Sequence, residues 1–254
     1  MPIQKSEAIV LRRQDLRETS LILTFYTKDF GKIKGIVRGV RGARSQSAAS
    51  GGCLELFAHN EIVFYDRKNA DIFTVSQCDL IDFFNPVRSS LERLSYASYM
   101  IELLDSVTST QDNDASAKVF DLLLSSLKLL AGPASAKRVA RIFEIKILSR
   151  LGLMPVLDSC VLCGAGASKA FNFSLREGGL ICGKCLSRDP NALKILPGTA
   201  KFMEHIRGLD FDKVERIKVA QEVGRELEEI LRKFLDYHIE RRLKTLEFIR
   251  SVEK

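Results

Sequence analysis

The chain carries six cysteines, and four of them fall in two short motifs, "CVLCG" at Cys160 to Gly164 and "CGKC" at Cys182 to Cys185, with eighteen residues between the pairs. Thiols so arranged can cycle between dithiol and disulfide, hold a metal that does chemistry, or hold a metal that only ties the chain together. Pairs two residues apart match the thiolate spacing of a structural zinc site, because each turn brings two sulfurs to one ion. The same spacing also accommodates an iron–sulfur cluster. A catalytic zinc keeps one position open for water, and four protein thiolates leave none. The three histidines, His59, His205 and His238, all lie outside the cysteine segment, which disfavours a zinc hydrolase or deaminase. Thioredoxin-like exchange needs one CxxC at a helix start, and two matched pairs fit a closed site better. The expected ligands are Cys160, Cys163, Cys182 and Cys185, around one structural Zn2+ per chain. Cys53 and Cys78 lie near or in strand-like stretches and read as small buried apolar side chains.

Other catalytic signatures are missing. There is no Walker A motif, no GxGxxG, no GxSxG and no HExxH, so the chain is expected not to be an enzyme. The formal net charge of +7 points instead to a polyanionic partner. Lys28, Lys32, Lys34, Arg38, Arg41 and Arg44 form one basic stretch, running into the Ser-, Ala- and Gly-rich "RSQSAASGG". That segment lacks the apolar content to fold alone and is expected to be a loop. A solvated turn is the plain alternative to a phosphate contact. Near the end, "HIERRLKTLEF" is expected to place Arg241, Arg242 and Lys244 within one helical turn, either as solvated surface or as an extension of the basic face. His238 is expected to be packed rather than to ligate.

These groups must be positioned by two kinds of structure. Five short runs rich in β-branched and aromatic residues, Glu7–Arg13, Thr19–Thr27, Gly31–Gly39, Leu54–Asp66 and Asp71–Asp79, suggest a small closed barrel of the OB type. Phe25 and Tyr26 are expected to be core, with base stacking the alternative role. From Pro86 the apolar period becomes helical: Ser89–Val107 with Ser89 or Ser90 as N-cap, Ser116–Gly132, Ser135–Gly152 and Pro197–Leu209. A long last helix is expected from near Asp212, with Leu227, Ile230, Leu231, Phe234, Leu235, Ile239, Leu243 and Leu246 as one buried stripe. The fold class is therefore α+β: an OB-fold barrel at 1–82, then an all-α helical domain at 83–254 with the zinc ribbon inserted at 158–188. The amino terminus lacks the apolar run of a signal peptide, and no eighteen apolar residues run unbroken, so a cytoplasmic location is expected.

Several segments together resemble the RecO family of bacterial recombinational repair proteins. They are "GKIKGIVRGVRGARS" after "LTFYTKDF", "RLSYASYMIELLD", "RIFEIKILSRLGLMPVLDSCVLCG", "FNFSLREGGLICGKC" and the terminal "HIERRLKTLEF". The resemblance implies an amino-terminal OB-fold and a helical domain bearing a zinc ribbon. It also implies binding to single- and double-stranded DNA and annealing of complementary strands. With the partner RecR, it implies loading of RecA onto strands coated by single-strand binding protein, whose acidic carboxyl-terminal tail is a further contact. A nucleoid-associated bacterial cytoplasmic protein is the implied setting. The alternatives on the residues alone are a thiol redox or zinc-dependent enzyme centred on the CxxC pairs, or a zinc-ribbon adaptor between proteins.

Overall fold

Alternation of β-branched and aromatic residues with polar ones builds the first strands of the protein, here described from a computed structural model: β1 (Ile3–Leu16), β2 (Ser20–Thr27), β3 (Gly31–Val37), β4 (His59–Tyr65) and β5 (Phe73–Asp82). The structure describes residues 2–16, 18–39, 52–65, 71–110, 116–166, 171–214, 217, 219–239 and 241–252. The five strands close into a barrel in the order β1-β2-β3-β5-β4, with β1 returning to β4 and a short parallel pairing of β3 with β5 completing the ring. This is the OB-type barrel that the strand count suggests. Val10, Leu23, Phe25, Ile33, Ile62 and Phe64 fill its interior. The parallel closure depends on Gly35, where an added Cβ would stand 2.6 Å from Val75 Cγ2 and 3.3 Å from the Phe25 ring.

Helices follow: α1 (Asn85–Arg88), α2 (Leu91–Val107), α3 (Ser116–Ala131) and α4 (Ala136–Arg150). Arg88 fixes α1 to the barrel. Its guanidinium lies 4.1 Å from the Phe57 ring centroid and 3.7 Å from that of Phe83, and it donates to the carbonyls of Phe83 and Leu56. Ser90 caps α2 as its sequence suggests, its hydroxyl accepting from the Arg93 N–H. Helices α2 and α3 pack on the outer face of the barrel, α2 on β1 and α3 on β1, β2 and β3.

Beyond α4 come β6 (Phe171–Ser174), β7 (Gly179–Cys182), a 3₁₀ turn (Gly183–Arg188), β8 (Leu193–Lys194), α5 (Pro197–Gly208), α6 (Phe211–Val214), α7 (Gln221–His238) and α8 (Lys244–Val252). The last long helix expected from sequence is thus divided. The helical bonds of α7 end with Ile239 N–H donating to Leu235 O, and α8 begins anew where Glu102 accepts the N–H groups of Lys244 and Thr245. A carboxylate on α2 supplies the cap, so the break has no local signal. The chain forms two compact units, 1–140 with 243–254, and 141–242. None of the helices is long and apolar enough to cross a membrane, among the described residues.

Candidate metal centre and nucleic-acid interface

The two cysteine pairs meet through strand register. Pairing of β6 with β7 sets Phe171 opposite Cys182, which ends β7, and the 3₁₀ turn then presents Cys185. The first pair is held on the same ribbon by Val161 N–H donating to Leu180 O at 2.8 Å. Its turn is closed by Gly164 N–H to Cys160 O at 2.8 Å and Cys160 N–H to Ala165 O at 2.7 Å. All four Sγ atoms lie within 4.8 Å of one another. The Cys163 and Cys182 sulfurs are 3.7 Å apart, close to the edge of about 3.8 Å that a tetrahedron with 2.3 Å zinc–sulfur bonds requires. Burial opposes ionisation of Cys160, but the backbone N–H groups of Cys182, Cys163 and Leu162 outweigh it and bring the thiol down to about 6. Cys185 is pushed up to about 12, first by the Cys163 thiol, then by burial and the sulfurs of Cys182 and Cys160. The Ala165 N–H favours a Cys163 thiolate, yet Cys163 is also raised, because Cys160 and Cys182 compete with it. The first negative charge is therefore welcome and further ones are resisted. A metal cation removes that resistance, so donor type, distance and charge all fit a metal held by these four residues.

The barrel cations occupy three different situations. Lys32 is buried, its ammonium donating to Asp105 O at 2.7 Å and lying 3.2 Å from Asp105 Oδ1, so it joins α2 to β3. Lys28 pairs with Glu7 Oε1 at 3.1 Å, which raises its pKa. Lys34 and Arg38 are exposed, and Arg41 and Arg44 lie outside the described residues. Strand register explains the difference. Ile9, Tyr26 and Lys32 form one row on the outer face of the barrel, buried where α2 and α3 pack. The next rows, Arg12–Thr24–Lys34 and Gln14–Ile22–Ile36, lead away toward Arg38. Phe25 and Tyr26 are both buried, as core residues should be.

Arg12 is the cation that sequence reading missed. Simple alternation from Val10, which points into the barrel, would send Arg12 inward as well. A β-bulge between Val10 and Arg12 resets the phase and sets Arg12 opposite Thr24, in the same row as Lys34. It donates to Asp105 Oδ2 at 2.7 Å. The sequence alone carries no mark of that bulge.

The carboxyl-terminal cations do not share one helical turn. Arg241 and Arg242 are exposed beyond the end of α7, whereas exposed Lys244 opens α8, and the division of the long helix separates them. His238, expected to be packed rather than to ligate, is exposed at the end of α7 but makes two contacts there. Its ring lies 4.3 Å from that of Phe234, and Nε2–H donates to Leu175 O at 3.1 Å. Phe234 in turn meets Phe173 of β6 at 5.8 Å, which joins the cysteine ribbon to α7.

Comparison with known proteins agrees with this architecture. Residues 1–84 match the family described as Recombination protein O N terminal, and residues 88–247 match Recombination protein O C terminal. The DNA repair protein RecO of Pelotomaculum thermopropionicum is 34% identical over 249 residues, covering 98% of this chain and 94% of that protein. That of Acetivibrio thermocellus is 31% identical over 251 residues, covering 98% and 97%. The Bacillus pumilus protein is 32% identical over 249 residues, covering 98% and 94%. With both halves matched and relatives aligned nearly end to end, the chain belongs to the RecO family of DNA repair proteins.

Proposed function

We propose that the chain is a non-enzymatic mediator of recombinational repair that binds single- and double-stranded DNA, anneals complementary strands and, with RecR, loads RecA onto strands coated by single-strand binding protein. Contact with the acidic tail of that protein belongs to the same reading, as does a location in the bacterial cytoplasm at the nucleoid. Residues 1–82 act as the nucleic-acid-binding domain. Residues 83–254 form the helical domain, with the insertion 158–188 tied by zinc on Cys160, Cys163, Cys182 and Cys185. Zinc supplies a closed structural anchor there.

The observation that carries the DNA reading is the outer-face row Arg12–Thr24–Lys34, continued by Arg38 at the end of β3. The customary OB ligand face is centred on β2 and β3, and here its inner part lies beneath α2 and α3. A phosphate strand on this reading follows the open margin from Lys34 past Ile22 and Ile36 to Arg38, and Arg41 and Arg44, outside the described residues, are proposed as phosphate contacts on their sequence alone. No aromatic residue stands in these rows, so the contact made there is to phosphate and carries little base preference. Annealing follows from charge: two polyanions repel until their phosphates are neutralised.

The test is a titration of labelled oligo-dT at several salt concentrations with the native chain and with a Lys34→Glu, Arg38→Glu double variant. Log affinity should fall linearly with log salt, each lost phosphate contact reducing the slope by about 0.7. The native chain should also speed pairing of complementary oligonucleotides, and the variant should do so less. A native binding constant that does not change with salt would sink the proposal.

A further inference from the structure

Asp105 stands where a carboxylate is disfavoured twice over. It lies in the last turn of α2, where the helix dipole opposes a negative charge, and no basic residue of that turn accompanies it. It is also buried, at 9% exposure. Cations from the barrel offset both costs. Lys32 of β3 reaches Asp105 O at 2.7 Å and Oδ1 at 3.2 Å, and Arg12 of β1 donates through Nη2 to Oδ2 at 2.7 Å. These two cations differ in what else they can do. The Lys32 side chain is only 10% exposed and joins β3 to α2, whereas that of Arg12 is 43% exposed. Fastening the helix to the barrel is served by Lys32 and does not require a second cation that still meets solvent.

The β-bulge in β1 sets Arg12 opposite Thr24, and Thr24 lies opposite Lys34. Strands lie about 4.8 Å apart, which sets the Arg12 and Lys34 backbones about 10 Å apart, with the small, buried Thr24 between them. A guanidinium carries several N–H donors in a rigid fork, so an arginine held by a carboxylate at one nitrogen can still meet an anion at another. We infer that Asp105 is a positioning residue for DNA: it holds the Arg12 guanidinium in the outer row with Lys34, and the two cations grip phosphates of one strand on either side of Thr24. This rests on the reading of the barrel margin as the DNA contact, and it extends that contact to Arg12. An exposed arginine must be ordered when it binds, and that loss of freedom weakens binding. Arg12 is already ordered by Asp105, so the acid strengthens the grip on a polyanion although its own charge opposes it.

The experiment titrates oligo-dT with the full metal-loaded chain at several salt concentrations, and a thermal melt of each variant checks that it folds. Arg12→Gln should weaken binding and lower the slope of log affinity against log salt by about 0.7, the value for one phosphate contact on a single strand. Asp105→Asn keeps an oxygen for Lys32 but loses the charge that holds Arg12. It should weaken binding by about threefold, the order expected when one long side chain must be ordered on binding. In an Arg12→Gln background the same substitution should change nothing. Arg12→Lys leaves Asp105 and Lys32 undisturbed and decides the matter if Asp105→Asn does not fold. It should keep the slope but weaken affinity, because an ammonium lacks the planar fork that fixes carboxylate and phosphate in set directions. Unchanged or tighter binding by Asp105→Asn, equal weakening in both backgrounds, or native affinity in Arg12→Lys would each overturn the inference. If Arg12→Gln binds as the native chain does while Lys34→Glu with Arg38→Glu loses binding, the inference is wrong and the barrel reading stands. If native binding does not depend on salt, the DNA reading itself fails.

Discussion

His59 is a buried histidine with one carboxylate partner, and that makes it a pH-sensitive point in the barrel. Its Nε2 lies 2.8 Å from Glu7 Oε2, its ring packs 5.8 Å from that of Phe120, and Glu7 also receives Lys28. Burial holds His59 below its usual 6.5, although Glu7 pulls the other way, and the charges of Lys128 and Asp82 add smaller opposing effects. Burial also works to raise Glu7, but Lys28 and His59 outweigh it and leave the carboxyl below its usual 4.5. The signs agree. For His59 the unfolded chain takes up its proton first, so stability is lost as pH falls below 6.5. For Glu7 the stabilisation is complete above 4.5 and is lost as pH falls through the lower folded value. The thermal midpoint should therefore begin to fall near 6.5 and fall again in the acid range. His59→Gln should remove the first step and alter the second, because His59 shares with Lys28 in holding Glu7 low. A native midpoint that stays level through the first range would show that His59 is not the group that titrates.

At the scale of elements, the cysteine ribbon depends on one close approach. Val156 bridges to Gly179 of β7, with Val156 N–H donating to Gly178 O at 3.0 Å and Leu180 N–H to Val156 O at 2.8 Å. A Cβ on Gly179 would stand 2.5 Å from Val156 O and 2.9 Å from Val156 N. Gly179→Ala should cost about 1–3 kcal/mol by forcing the segments apart. Because Val156 leads into the first cysteine pair, the variant should also release its metal at lower chelator concentration, read with a chromogenic zinc indicator. Equal release by native chain and variant would mean that the bridge does not position Cys160. Elements of this kind differ in how legible they are. Helix α2 and its Ser90 cap are written in adjacent residues, and so are the two CxxC turns and most of the barrel alternation. The β-bulge that turns Arg12 outward, the approach of Val156 to Gly179 and the break between α7 and α8 are set by partners distant in the chain. Glu102 and Thr245 are the clearest case, since a helix start capped by a distant carboxylate looks locally like the continuation of the helix before it.

If the four cysteines hold a metal as proposed, the molecule as a whole divides its stability between two sources. The barrel is packed with apolar side chains drawn from its own strands and from Cys53 and Leu54, and none of the four clustered cysteines takes part. The ribbon instead has Phe171, Phe173, Leu180 and Ile181 as its large buried side chains between Gly166 and Cys182, among the described residues. A core that small does not hold a fold by packing, whereas a bound zinc supplies about 10–16 kcal/mol to such a segment. Chelation should therefore act on one unit and spare the other. Hydrogen exchange should show protection lost across β6, β7 and the 3₁₀ turn while β1 to β5 keep theirs. Oligo-dT affinity should be largely kept, because Lys34 and Arg38 of the barrel remain in place. That binding should still weaken with salt, with a slope close to that of the native chain. Complete loss of DNA binding on chelation, with exchange in the barrel strands unchanged, would place the contact outside the barrel and overturn the assignment to Lys34 and Arg38. Loss of protection in the barrel itself would show that the metal supports both units.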